Sequence, residues 1–266
     1  MEIELRNMDF GYDPEHQILH GINLRIDRPG LTCIIGPNGV GKSTLVKCIN
    51  GLLKPTAGEV LINGRRLEEY HPKEVSMMIG YVPASTKDIF SMPVIDAILI
   101  GRHNHQKWKT TDEDLEIVNR AMKVLGIEDL AMHGYNELSA GQHQKVTLAR
   151  GLVQETEAII LDEPTANLDV RHQVYVAQLL RELADKGGKT IIMICHDLNI
   201  AARYSSRVIV MSPPGIIERS GTPEEVFDRD MIRKVYGIDC EIVTFEGKPN
   251  VMLKSDFVDG EQYDRS

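Results

Sequence analysis

The stretch "GPNGVGKST", Gly36 to Thr44, constrains this chain more than any other. It follows the apolar run "LTCII" and opens a helical pattern, "STLVKCINGLL". A buried strand therefore passes through a glycine loop into a helix, the context in which such a loop binds phosphate. Backbone N–H groups around Gly36, Pro37, Asn38, Gly39 and Gly41 can close on phosphate oxygens. Lys42 is suited to neutralise β/γ-phosphate charge, Ser43 to ligate Mg²⁺, and Thr44 completes the motif. A nucleotide-handling α/β core is expected.

The rest of the chain fits that frame. "LTCIIG", "AIILDEP", "TIIMICHD" and "RVIVMS" are short apolar runs of the kind buried on both faces of a parallel sheet. Helical text separates most of them, including "VRHQVYVAQLLRELADK", which ends at a glycine pair. "IELRNMDF", "INLRI" and "GEVLING" alternate instead, as half-buried antiparallel strands do. From Ser85 to about Asn136 no clear core strand is found. There "DEDLEIVNRAMKVLGI" sets Leu115, Val118, Met122 and Leu125 on one helical stripe, which predicts a helical insertion. The tail returns to strands, "CEIVTFEGKPNVMLK", with "EGKP" as the turn; the simplest expectation is that they extend the antiparallel sheet.

Two further strand ends carry chemistry. "LDEP" places Asp162 to hold Mg²⁺ and Glu163 to polarise an attacking water. "ICHDL" ends with His196; among strand ends that handle phosphate, a γ-phosphate contact is the expected role. Asp169 in "TANLD" reads by itself as a helix N-terminal turn. "NELSAGQHQKVTLAR" holds a second polar, glycine-bearing turn, Leu138 to Gln142, ahead of a helix expected over His143 to Arg150. It suits an anion but has no lysine. His103 and His105 in "GRHNHQKWK" fall short of a metal-ligand set and are expected in a loop.

Composition bounds the function. A net charge of −9 over 266 residues argues against a broad nucleic-acid surface. The four cysteines, Cys33, Cys48, Cys195 and Cys240, form no CxxC pair, and reduced thiols in a cytosol are expected. No signal pattern or membrane-length apolar run is found, so any membrane role comes through a partner.

The order "GPNGVGKST", "LSAGQ", "LDEP", "NLD", "CHD" resembles the ATP-binding subunit of an ABC transporter, over about Met1 to Phe227. The resemblance implies a P-loop NTPase (RecA-like) α/β core with an antiparallel β subdomain and an inserted helical subdomain. The ATPase domain would span 1–233, with the insertion at about 85–145, and a β-rich tail extension would span 234–266. It also implies ATP and Mg²⁺ as ligands and a head-to-tail homodimer. Ser139, Gly141 and Gln142 of one subunit then serve the ATP held by the other subunit's loop. This accounts for a second cradle without a lysine. Asp169 would communicate across that interface, and Tyr12 matches the aromatic that stacks on adenine. "SMPVIDAILIGRHNHQKW", "HDLNIAARYSSRVIVM" and the tail resemble importers of metal chelates: ferric siderophore, haem or cobalamin. Integral membrane permease subunits and, indirectly, an extracytoplasmic substrate-binding protein would be partners, with the chain peripheral on the cytoplasmic face.

Two positions depart from the family pattern. Ala140 stands where glycine is usual, and little loss is expected from one methyl. Ala84 stands after "YVP" where the family carries a glutamine that reaches the Mg²⁺ and attacking-water region. Slower or less well coupled hydrolysis is the expected consequence. Part of the cluster Val94, Ile95, Ile98, Leu99 and Ile100 is expected to line a groove for a permease helix. The competing functions are a soluble ABC-type ATPase on nucleic acid or ribosomes, and an exporter or lipid-release ATPase. The compact acidic chain lacks the heptads expected of the first.

Overall fold

The computed structural model describes residues 1–13, 15–84, 92–103 and 110–257. Strands β1 (Ile3–Asp13) and β2 (His16–Ile26) form a hairpin; β3 (Gly30–Ile35), buried throughout, delivers the glycine loop to helix α1 (Lys42–Ile49). β4 (Ala57–Ile62) and β5 (Arg65–Arg66) follow, then helix α2 (Pro72–Met78) and strand β6 (Ile79–Val82). Helices α3 (Val94–Leu99), α4 (Asp112–Leu125) and α5 (Ala140–Leu152) come next. Strand and helix then alternate through β7 (Ala158–Leu161), α6 (Val170–Gly187), β8 (Thr190–Ile194), α7 (Leu198–Tyr204) and β9 (Arg207–Ser212). β10 (Ile216–Gly221), α8 (Pro223–Val226), α9 (Arg229–Tyr236), β11 (Ile238–Phe245) and β12 (Lys248–Phe257) complete the order.

Among the described residues one antiparallel sheet has the order β2-β1-β4-β5, and a second sheet the order β10-β9-β3-β8-β7-β6. In the second, β9, β3, β8, β7 and β6 are parallel and only β10 pairs antiparallel. All four apolar runs lie in it, as their two-sided burial requires. Alternate residues divide between its faces. Leu31, Cys33, Ile35, Ile159 and Leu161 join the core shared with the helices; Ile34, Ile160, Ile192 and Ile194 join the core under the antiparallel sheet and α1.

Helices α3, α4 and α5 pack on one another, and α5 also packs against β6. Val118, Met122 and Leu125 are buried on the predicted stripe, while Leu115 is half-buried. Arg102 and Asp114, each 6% exposed in its side chain, join these helices from inside. Arg102 Nε donates to Asp114 Oδ1 at 2.9 Å, and its Nη1 donates to Val153 O and Glu155 Oε2, both at 2.7 Å. Asp114 also closes a capping box with Thr111 at the start of α4.

The tail corrects one expectation. β11 and β12 form a hairpin about the Glu246–Gly247 turn, but they make a separate two-stranded sheet and do not extend the first. The reason is what their inner faces bury: Cys240 and Val251 enter the helix-side core, against α7, α8 and α9. A second correction concerns α5, which begins at Ala140 and not at His143, so Gly141 and Gln142 are already helical. The Ser139–Gln142 capping box sets that start.

Candidate functional site

The phosphate loop is shaped by close backbone approach. A Cβ on Gly36 would stand 2.4 Å from Met211 O, so no larger residue fits between the loop and β9. Gly39 has φ +77, the left-handed region that favours glycine, and a Cβ there would meet nothing within 4 Å. Lys42 folds back across the loop, its Nζ donating to Gly36 O at 2.8 Å and Pro37 O at 2.7 Å. Burial lowers its pKa, while the nearby Glu163 and Asp162 charges oppose that shift. Thr44 is buried in α1. Tyr12 is 64% exposed on the β1–β2 hairpin, edge-on to Phe10. The same hairpin touches the loop, since a Cβ on Gly41 would meet Leu19 Cδ2 at 2.8 Å.

Strand parity brings the first carboxylate to α1. Ile160 faces the antiparallel side, and Asp162, two residues on, continues that side. There Ser43 Oγ donates to Asp162 Oδ1 at 3.1 Å. Burial raises the Asp162 pKa, against the lowering effect of the Ser43 bond. Tyr81 approaches from β6, its hydroxyl 3.5 Å from Asp162 Oδ2; burial and the Asp162 charge push that phenol up to about 12. Ser43 and Asp162 present hard oxygen donors side by side. That donor chemistry fits Mg²⁺, which takes one or two protein oxygens and completes its shell with phosphate and water.

Glu163 turns away from Asp162 through a left-handed backbone, φ 53. Such a conformation costs a non-glycine residue about 1 kcal/mol or more and persists where its surroundings enforce it. Gln144 of α5 contributes: its Nε2 donates to Glu163 O at 3.3 Å. Across from it His196 Nε2 lies 2.6 Å from Glu163 Oε1. Sequence reading placed both residues in one site but missed this contact, and it missed Gln144 and Tyr81 entirely. Only the i-to-i+2 parity of strand β6, from Ile79 to Tyr81, hinted at Tyr81's side; nothing local marks Gln144.

The Leu138–Gln142 turn is hydrogen-bonded within itself. Ser139 Oγ accepts the Gln142 N–H at 3.3 Å, and Gln142 Oε1 accepts the Ser139 N–H at 2.8 Å. Among the described residues no hydrogen bond runs from Ser139, Gly141 or Gln142 to the Gly36–Thr44 loop. Gly141 faces the segment before α6, where a Cβ would lie 3.5 Å from Asn167 O. Asp169 caps α6, accepting the His172 N–H at 2.9 Å, and that bond holds its carboxyl below the usual range.

His105, Ser85 and Thr86 lie outside the described residues, and among those described no group of His, Cys, Asp or Glu is arranged as a metal-ligand cluster. Val94 and Ile98 are fully buried, and Ile95 and Leu99 pack on the core; only Ile100 of that cluster is exposed. A cavity of about 570 Å³ opens between the antiparallel sheet, α2 and β6, lined by Leu53, Tyr70, Val75, Ile79 and Tyr81 among others.

A glycine loop under a helix N-terminus, a buried carboxylate hydrogen-bonded to the serine of that helix and a neighbouring glutamate define a P-loop nucleotide hydrolase. Residues 19–166 match the family model described as ABC transporter. An ABC transporter ATP-binding protein of Methanocaldococcus jannaschii, itself uncharacterized, is 39% identical over 95% of this chain and 98% of its own. The ferric enterobactin transport ATP-binding protein of Escherichia coli is 36% identical over 89% of this chain and 87% of its own. The dimeric structure of a bacterial ABC transporter cassette superposes with a TM-score of 0.73 at 30% identity, covering 83% of this chain and 98% of that one. The chain belongs to the ABC transporter family and is an ATPase that hydrolyses ATP. Its architecture is the ABC cassette fold, a parallel core sheet with an antiparallel β subdomain.

Proposed function

We propose that this chain is the ATP-hydrolysing subunit of an ABC importer for metal chelates such as ferric siderophores, haem or cobalamin. The observation that carries the hydrolytic part is the convergence of Lys42, Ser43, Asp162, Glu163 and His196 on the ends of β3, β7 and β8. Lys42 and the loop N–H groups hold the β- and γ-phosphates of ATP. Ser43 and Asp162 hold Mg²⁺, which when bound neutralises phosphate charge. Glu163 orients and polarises the attacking water, and His196, paired with it, contacts the γ-phosphate. Tyr12 stacks on adenine.

Ser139, Gly141 and Gln142 close on the ATP of a second copy, and Asp169 meets that copy across the interface. That no hydrogen bond among the described residues joins the Leu138–Gln142 turn to the loop of its own chain supports this head-to-tail reading, as does the dimeric form of the related cassette. Among the described residues no helix is long and apolar enough to cross a membrane. In this reading the chain works peripherally, on the cytoplasmic face, with permease subunits and indirectly with a substrate-binding protein, as its membership of the ABC transporter family supports. The apolar cavity between the antiparallel sheet, α2 and β6 has the size and lining to take a short permease helix. The chelate class is supported by the ferric enterobactin relative.

The deciding experiment has two parts. Glu163→Gln is expected to lower ATP turnover by about 10²-fold or more while leaving ATP binding intact; undiminished turnover overturns the catalytic assignment. Isolation from native membranes in mild detergent is expected to recover a many-span permease; recovery only with ribosomal or DNA-bound material overturns the importer reading.

A further inference from the structure

The turn that carries His196 is held from behind by the C-terminal hairpin. Cys195 Sγ donates to Asp197 O at 3.2 Å, and Asp197 Oδ1 caps α7 by accepting the N–H groups of Asn199 at 2.8 Å and Ile200 at 2.9 Å. Asn199 then reaches the hairpin. Its Oδ1 accepts the Val251 N–H at 2.7 Å, and its Nδ2 donates to Val251 O at 3.3 Å. A side-chain amide used both ways imitates a peptide group, so Asn199 pairs with strand β12 as a neighbouring strand would. Val251 is 5% exposed, which shields that pairing from water.

One turn further along α7, Arg203 ion-pairs with Glu246 at the hairpin tip, its guanidinium 5.7 Å from the Phe245 ring centroid. The far side of the hairpin is fixed too, by Lys248 to Glu224 of α8 at 2.8 Å and by Arg229 of α9 to Asp239 at 2.6 Å. Helix α7 has only 7 residues, too few to hold its own geometry without tertiary support. Yet the 2.6 Å contact between His196 and Glu163 joins two separate strand ends and tolerates little drift.

We propose that Asn199 is a positioning residue for ATP hydrolysis, through which the C-terminal hairpin fixes α7 and so sets His196 against Glu163. The tail thereby acts on the chemistry and not only on the fold. This rests on the reading of Glu163 and His196 as the hydrolytic pair.

The test uses the full chain and compares Asn199→Leu, which removes both amide bonds at similar volume, with Arg203→Met and Glu224→Gln. Asn199→Leu is expected to lower kcat about tenfold with at most about a twofold rise in KM for ATP, since misplacement of a reacting group is costly while the loop's phosphate contacts stay and only the His196 contact to the γ-phosphate is loosened. Its preference for ATP over ADP, titrated with fluorescent nucleotides, is expected to shrink, because His196 senses the γ-phosphate. Arg203→Met is expected to give the same signature at about twofold. Glu224→Gln, which loosens the hairpin only from α8, is expected to leave kcat unchanged. A purely structural tail would lower Tm in all three and leave kcat and the ATP/ADP preference alone; that result overturns the proposal. Should Asn199→Leu fail to fold, Arg203→Met decides, and an unchanged kcat there overturns it. Unimpaired Glu163→Gln would instead remove the reading beneath it.

Discussion

Helices α1 and α5 both begin at polar, glycine-bearing loops, yet their N-termini are finished differently. Gly41 precedes α1 with φ 96, and no side chain caps the helix. Ser139 precedes α5 in extended backbone and closes a reciprocal box with Gln142. The first helix start carries no side-chain cap, as a start that meets phosphate would require, and Lys42 folds back across the loop in front of it. The second satisfies itself within the chain. A capped, self-sufficient helix start can stand exposed on one subunit without cost. That is what a surface needs if its ligand belongs to another copy.

The comparison can be broken at several points. The largest effect is expected from Lys42→Ala, which removes the charge that α1 works with. ATP turnover should fall about 10²- to 10³-fold, read by phosphate release. Next is Asp114→Ala, which takes from Arg102 its buried carboxylate, leaves it the half-exposed Glu155, and loosens the helices that carry α5. A stability loss of about 1.5–3 kcal/mol is expected, seen as a lower denaturant midpoint, with ATP affinity at the α1 loop retained. If affinity falls equally, the two helix starts are not independent.

Asp162→Asn sharpens the comparison from the α1 side. Burial raises the Asp162 pKa, so the folded chain binds that proton more tightly than the unfolded chain. The resulting penalty is absent below the ordinary value of 3.8 and fully present above the raised folded value. At neutral pH the neutral amide should therefore raise Tm while abolishing turnover, a trade of function for stability. Below pH 3.8 the gain should vanish, which a pH series of melting curves checks.

The smallest effect is at Ser139. Ser139→Ala is expected to cost about 1 kcal/mol of stability, and Ser139→Gly only a few tenths. If the hydroxyl also serves a second copy's ATP, both variants should lose turnover alike. Losses that track stability would reduce Ser139 to a cap.

How much of this was legible in the sequence follows from how local each feature is. The Gly36–Thr44 loop is contiguous, and its strand and helix flank it directly, so residues and context could be read together. Four of the five parallel strands announced themselves by unbroken apolar runs; β6, with Gly80 and Tyr81 in its 4 residues, did not. The Ser139–Gln142 box was also local, but its reading as a turn delayed the start of α5 to His143. The contact from Gln144 to the Glu163 carbonyl and the pairing of Asn199 with Val251 join segments far apart in the chain, and no periodicity encodes them. The tail's strands were visible as alternation, but their burial against α7, α8 and α9 depended on a core that only the folded chain assembles.

The four cysteines are free and buried, and burial pushes the thiols of Cys48 and Cys195 up to about 12. Thiolate is the reactive form, so maleimides and other alkylating probes should pass the folded protein by. The native chain is thus a silent background for labelling. A single cysteine placed at exposed Met252 or Tyr12 would carry the only accessible thiol among the described residues, ready for a fluorophore or spin label with no endogenous site to remove. The same silence makes slow thiol labelling of the unaltered protein a direct clock for opening of its core.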